Sequence, residues 1–180
     1  MTFKEVFKNG KPVIGMIHTG CSEEFSMLEL ARKYGAKFIQ IDSVCGHPDA
    51  DDEKAYVKQL QKNRKEYGVA VLGGVRFKYQ PVRSGRSTEE DLILGKERCD
   101  AVVCTGTGTG IETPMAKVEQ FKATLGVFPV VVGAGVTLDT ARETLSKSDG
   151  MIVGSWFKYG HEAHNEVNEE FVKTFMEALA

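Results

Sequence analysis

Two glycine turns, each following a run of β-forming residues, hold most of the chemistry this sequence can do. They are Pro129-Val-Val-Val-Gly-Ala-Gly-Val-Thr137 and Asp149-Gly-Met-Ile-Val-Gly-Ser-Trp-Phe-Lys158. Gly133, Gly135, Gly154 and Ser155 let the backbone come close to a ligand, and amides at such turns suit a phosphate. Two ordinary tight turns would leave the same pattern. A third run, Thr105-Gly-Thr-Gly-Thr-Gly110, can line a polar pocket with Thr105, Gly106 and Thr107, or serve only as a flexible turn. It is not a P-loop, because no Gly-Lys-Ser/Thr follows. Ile111 also stands where a dinucleotide fingerprint needs its third glycine.

Other polar residues fall where strands are expected to end. Asp42 and His18 can act as a general base and its partner if they come within hydrogen-bond reach; a surface acid and a satisfied histidine are the alternative. Lys78 joins them as a catalytic candidate. Arg76 and Lys78 share strand parity, so they are expected to face the same way and hold an anion. Arg83 and Arg86 extend that cluster or simply decorate a solvated loop. Lys158 suits a phosphate contact or a solvent-facing position better than a Schiff base. His18, Cys21, Cys45 and His47 are of ligand types that suit zinc, but their spacings match no finger pattern. No metal ligand is assigned, and no cofactor is expected. His161 and His164 lie in a polar loop that points to nothing specific.

Positioning these groups takes strands and helices in strict alternation. Strands are expected over Val13–His18, Phe38–Val44, Val69–Leu72 (extending toward Lys78), Ala101–Thr105, the valine run before Gly133, and Met151–Val153. Four consecutive apolar β-formers before Gly133 suit a strand buried on both faces. Helices are expected near Ser26–Tyr34, over Asp52–Tyr67, from Thr88 to about Gly95, after Thr113-Pro114, over Thr137–Ser148 and from about Asn168. The acidic start of the Asp52 helix suits the helix dipole, and Thr88, Thr113 and Thr137 are expected as N-caps. Met115, Val118, Phe121 and Leu125 form one apolar stripe, and Phe171, Val172, Phe175, Met176 and Leu179 another; both are expected in the core.

Six strand-helix units argue for a parallel sheet, either a closed barrel or an open doubly wound sheet. Glycine turns cluster after the last three strands rather than the first, which favours the barrel. At 180 residues, the chain is expected to form a single barrel-like domain over 1–180. A formal charge of −2 implies no bulk attraction to nucleic acid or membrane. No run approaches membrane-spanning length and no signal-peptide pattern opens the chain, so a cytoplasmic protein with reduced thiols is expected.

The run Asp100-Ala-Val-Val-Cys-Thr-Gly-Thr-Gly-Thr-Gly110, followed by the two glycine turns, resembles the BtpA/SgcQ family of TIM barrels. Lys11-Pro-Val-Ile-Gly-Met-Ile-His18 is similar to that family's opening strand. Tyr34-Gly-Ala-Lys-Phe-Ile-Gln-Ile-Asp42 resembles the family's fourth strand and Val69–Tyr79 its fifth. The resemblance therefore implies a truncated, six-unit TIM-like barrel shortened between about Thr19 and Tyr34. It also implies that the glycine turns at Gly133, Gly135, Gly154 and Ser155 bind phosphate, and that His18 is the strand-end histidine. Asp42 stands where the family has an asparagine.

The family carries no single assigned reaction; its branches are linked to photosystem I biogenesis and to sugar utilisation with a nucleosidase label. The expected function is thus an enzyme on a small phosphorylated metabolite, lyase, isomerase or nucleosidase-like. The alternatives are a non-catalytic assembly factor and a zinc-dependent hydrolase. Six strands must close narrowly around small residues or stay open, and open edges need cover, so a homo-oligomer is expected.

Overall fold

The computed structural model describes residues 2–8, 10–15, 33, 35–47 and 50–180. Its strands are β1 (Val13–Gly15), β2 (Phe38–Cys45), β3 (Ala70–Val75), β4 (Ala101–Cys104), β5 (Val130–Val132) and β6 (Gly150–Val153). All pair in parallel in one sheet of order β1-β6-β5-β4-β3-β2. Consecutive strands are therefore neighbours everywhere except at one place. β1 and β2 lie at opposite edges and, among the described residues, do not pair. This is a TIM-like half-barrel, open at the gap where the sequence reading located the shortening. The expected helix at Ser26–Tyr34, together with His18 and Cys21, lies outside the described residues.

The described helices are α1 (Phe3–Phe7), α2 (Ala50–Tyr67), α3 (Thr88–Lys96), α4 (Met115–Leu125), α5 (Leu138–Lys147) and α6 (Glu169–Leu179). Local chemistry accounts for most of their ends. Thr137 caps α5 by exchanging hydrogen bonds with Thr140, and Asn168 caps α6. Two caps differ from expectation. Ser87, not Thr88, caps α3 in a capping box with Glu90, which frees the Thr88 hydroxyl for Arg76. Pro114 occupies the cap position of α4, while the buried Thr113 hydroxyl donates to the Ala134 carbonyl at 2.9 Å. Tertiary pairing of two loops thus takes the hydroxyl that sequence assigned to a helix end.

The sheet separates two apolar layers. On the helix side, Val71, Val102, Val130 and Val132 pack with Leu60, Leu92, Val118, Phe121 and Phe175. Met176 departs from its expected core stripe and is exposed. On the concave side, Leu72, Val103, Val131 and Ile152 meet Phe3 of α1, with Phe7 and Phe38 beside them. The Phe7 and Phe38 rings lie 5.2 Å apart, so α1 closes the end of the concave face from which the strands start. Two aspartates pin that end. Asp100 accepts the Val71 amide and the Arg64 guanidinium, each at 2.8 Å. Asp149 repeats the device with the Val130 amide at 2.9 Å and the Lys122 ammonium at 2.7 Å. Each ties a strand start to the neighbouring strand and to the helix that leads into that neighbour, at the end of the sheet opposite the strand-to-helix loops.

Candidate functional site

The C-terminal ends of β3, β4 and β6 surround a cleft of ≈ 560 Å³. Tyr79 comes from the loop after β3, Thr109–Ile111 from the loop after β4, and Ser155 and His161–His164 from the loop after β6. Barrel folds place their sites at this end because several strand-helix loops converge there. Those loops are stitched to one another. The Thr109 amide donates to the Tyr79 hydroxyl at 2.6 Å, and Lys78 Nζ donates to Thr109 Oγ1 at 3.1 Å. The hydrogen bond from Thr109 also holds the exposed Tyr79 phenol below its ordinary pKa.

Cationic groups at this mouth are bound to neutral oxygens. Lys78 is held by the Thr109 hydroxyl, Lys117 by the Thr105 carbonyl at 2.7 Å, and Lys158 by the Ala163 carbonyl. None of the three forms an ion pair with a carboxylate among the described residues. Among the described residues, the amides of Gly135, Gly154 and Ser155 also have no backbone partner.

The expected site residues divide into three groups. Ser155 lines the cleft, Lys78 reaches its rim, and Lys158 holds one of its walls. Lys158 is buried, against the solvent-facing alternative. A second group supports the loops from beneath. Thr105 is fully buried, and its hydroxyl accepts the Lys78 amide at 3.0 Å. Gly133 gives its amide to the Cys104 carbonyl, and Gly106 and Gly135 lie against the backbone of Ile111 and Glu112. Thr107 is exposed and does not line the cleft.

Asp42 and Arg76 form the third group, away from the cleft. By strand alternation Asp42 shares Phe38's concave face, where it is exposed and accepts from Gln40 at 3.0 Å. The expected parity of Arg76 and Lys78 does not hold. β3 ends at Val75, and Arg76 adopts a left-handed φ of 48°, which turns it toward the helices.

There Arg76 joins an ion-pair network that sequence reasoning missed. Asp91, fully buried, accepts from Arg76 Nε and Arg86 Nε at 2.8 Å each and from Ser84 at 2.9 Å. Arg86 and Arg98 both reach Glu53 at 2.7 Å. Glu53 is thus buried in ion pairs instead of serving as an exposed partner of the α2 dipole, and Arg86 is not a solvated loop residue. Cys45 Sγ sits in the same cluster, 3.6 Å from both carboxylates, where burial pushes its thiol up to about 11. His47 turns elsewhere, its Nδ1 3.0 Å from the Pro81 carbonyl. Among the described residues no group of three or more His, Cys, Asp or Glu is placed to hold a metal.

The network predicts an acid-sensitive fold. Burial opposes ionisation of Glu53, but hydrogen bonds from Arg86 and Arg98 outweigh it and bring the carboxyl from 4.5 down to about 2. Because the folded value is depressed, this stabilisation is complete above pH 4.5 and is lost as pH falls through 2. The gap corresponds to about 3 kcal/mol. Urea unfolding followed from pH 6 to pH 2 is expected to show that loss, and Glu53→Gln should flatten it.

Signals for the cleft itself were weak in sequence. Tyr79 follows a strand extension, and His161-Glu-Ala-His164 is a polar loop with no spacing that marks it.

A family model described as the BtpA family matches residues 14–180. An uncharacterized protein of Methanocaldococcus jannaschii is 36% identical over 144 residues, covering 77% of this chain and 54% of that protein. One from Thermococcus kodakarensis is 37% identical over 148 residues, with coverages of 79% and 56%. Photosystem I biogenesis protein BtpA of Synechocystis is 25% identical over 169 residues, covering 88% and 58%. The chain spans little more than half the length of these relatives. Among solved structures, N-(5'-phosphoribosyl)anthranilate isomerase from Pyrococcus furiosus superposes with a TM-score of 0.54 at 19% identity, covering 97% of this chain and 77% of that one. A native KDPGal structure gives a TM-score of 0.55 at 16% identity, covering 92% and 68%. At such identities the likeness is one of fold, and it is with TIM barrels.

Proposed function

The chain belongs to the BtpA family, and from that premise we propose that it binds a small phosphorylated metabolite, a sugar phosphate or nucleotide-related compound, at the mouth of its half-barrel. The observation that carries this reading is the pair of ammonium groups that hold the loops of the cleft, which Glu162 also lines. Lys78 and Lys158 reach its loops without a carboxylate partner among the described residues, and the Ser155 amide has no backbone partner among them either. A phosphate supplies the negative charge and the acceptor oxygens that this set lacks. Gly135 and Gly154 extend the amide set from the two glycine turns. The name of the phosphoribosylanthranilate isomerase agrees with a phosphate-handling barrel, as analogy only.

A second reading is a non-catalytic assembly factor, as the name of the Synechocystis relative suggests. The open gap between β1 and β2 favours it, because barrel enzymes draw their chemistry from several strand ends. The same open edges favour a homo-oligomer.

Thermal unfolding against ribose 5-phosphate and other sugar phosphates, with the unphosphorylated sugars as controls, tests the proposal. A ligand at ~100 times its dissociation constant stabilises the fold by about 2.7 kcal/mol. The shift is expected with phosphorylated compounds alone and should vanish in Ser155→Asp, which places a carboxylate in the corner. A shift that survives Ser155→Asp moves the ligand away from this cleft, and no shift with any sugar phosphate favours the assembly reading.

A further inference from the structure

His161 is held by three independent devices at the edge of the cleft. Its imidazole stacks on the Trp156 ring at 4.1 Å between centroids and 9° between planes. The Phe171 ring of α6 lies on it at 4.9 Å and 26°. Its Nδ1 lies 3.0 Å from the Trp156 carbonyl oxygen. The backbone adds a fourth feature, a left-handed φ of 57° that a non-glycine residue adopts only at some cost. Such restraint is unusual for an exposed side chain in a polar loop, since an exposed imidazole gains little stability from being fixed.

The Trp156 carbonyl can only accept, so Nδ1 must carry the hydrogen. In the neutral ring Nε2 then bears the lone pair. Among the described residues Nε2 has no partner in the chain, and His161 lines the cleft. We infer that His161 is the proton-transfer residue of this cleft, with Nε2 as a general base toward a hydroxyl of the bound ligand. The inference rests on the cleft being the ligand site.

The step balances within the site. The Nε2 lone pair forms a new N–H bond, the O–H bonding pair stays on the ligand oxygen as an alkoxide, and the proton returns from Nε2 to the product. The imidazolium formed in between is stabilised by the Trp156 carbonyl through Nδ1–H and by the faces of Trp156 and Phe171.

Nitrogen-15 correlation spectra of the imidazoles at pH 8, without and with ribose 5-phosphate, test the assignment. His161 is expected as the Nδ1–H tautomer, and its Nε2 resonance should move as ribose 5-phosphate saturates the protein. His47 provides the internal control. It makes the same Nδ1 contact, to the Pro81 carbonyl at 3.0 Å, but does not line the cleft, so its resonances should stay in place. His161→Gln should change the dissociation constant of ribose 5-phosphate by less than about threefold, because the phosphate is held by other groups.

An Nε2–H tautomer, a freely averaging ring, or an Nε2 signal unmoved while calorimetry shows ribose 5-phosphate bound would overturn the inference. Absence of binding in calorimetry instead overturns the phosphate reading of the cleft. In that event the proton-transfer assignment falls with it, because it needs the cleft to be the ligand site.

Discussion

Asp91→Ala is expected to lower the free energy of unfolding by about 3 to 5 kcal/mol, read from urea denaturation at neutral pH. Asp91 is fully buried on α3 and joins Arg76, Arg86 and Ser84, all from the segment that follows β3. Truncation takes a carboxylate from two guanidiniums with side-chain exposures of only 21% and 22% and leaves that of Arg76 without a counter-charge among the described residues, and that desolvated charge is what makes the change costly. Arg86 keeps Glu53, so the damage should centre on Arg76 and the chain after β3. Asp91→Asn keeps the volume and some acceptor capacity and should cost less. A loss below about 1 kcal/mol for the alanine variant would show that water can replace the carboxylate and that the network is solvated.

Gly135→Ala is the second large effect, expected at about 3 to 5 kcal/mol. Gly135 has φ +68°, and a Cβ there would lie 2.3 Å from the Glu112 amide nitrogen and from the Ile111 carbonyl carbon and oxygen. The contacts are backbone, so no side chain can swing aside. The loop after β4 would have to lift, carrying Thr109–Ile111 and with them one wall of the cleft. Gly126 separates the two causes. Its φ of +61° and ψ of −119° suit glycine, yet nothing lies within 4 Å of its Cβ position, so Gly126→Ala should cost the backbone strain alone, about 1 to 3 kcal/mol. Thermal unfolding of both variants, with and without ribose 5-phosphate, checks the argument. Equal losses would mean that the loop after β4 yields freely, and retained ligand affinity in Gly135→Ala would mean that its lift does not reach the ligand.

The glycine turns therefore do two things that look alike in sequence. Among the described residues Gly135, Gly154 and Ser155 keep amides without a backbone partner, whereas Gly133 spends its amide on Cys104 and Gly135 also admits a neighbouring backbone. The pattern of glycine after a buried strand is the same in both. The difference lies in which other loop happens to cover the turn.

What the sequence alone determined about this protein was local. The valine-rich strands, the alternation with helices, the Thr137 cap, the helix start near Asn168 and the placing of polar turns at the C-terminal strand ends all follow from neighbouring residues. Family resemblance at Asp100–Lys158 and the shift in strand register added the six-unit half-barrel. Tertiary structure decided the rest. Arg76 left the expected anion site because β3 stops one residue earlier and Asp91, 15 positions along, captures its guanidinium. Thr113 lost its cap to a carbonyl 21 positions away. The cleft draws Tyr79, Thr109, Ser155 and His161 from three loops, and no periodicity or spacing marks residues whose only relation is that parallel strands end side by side.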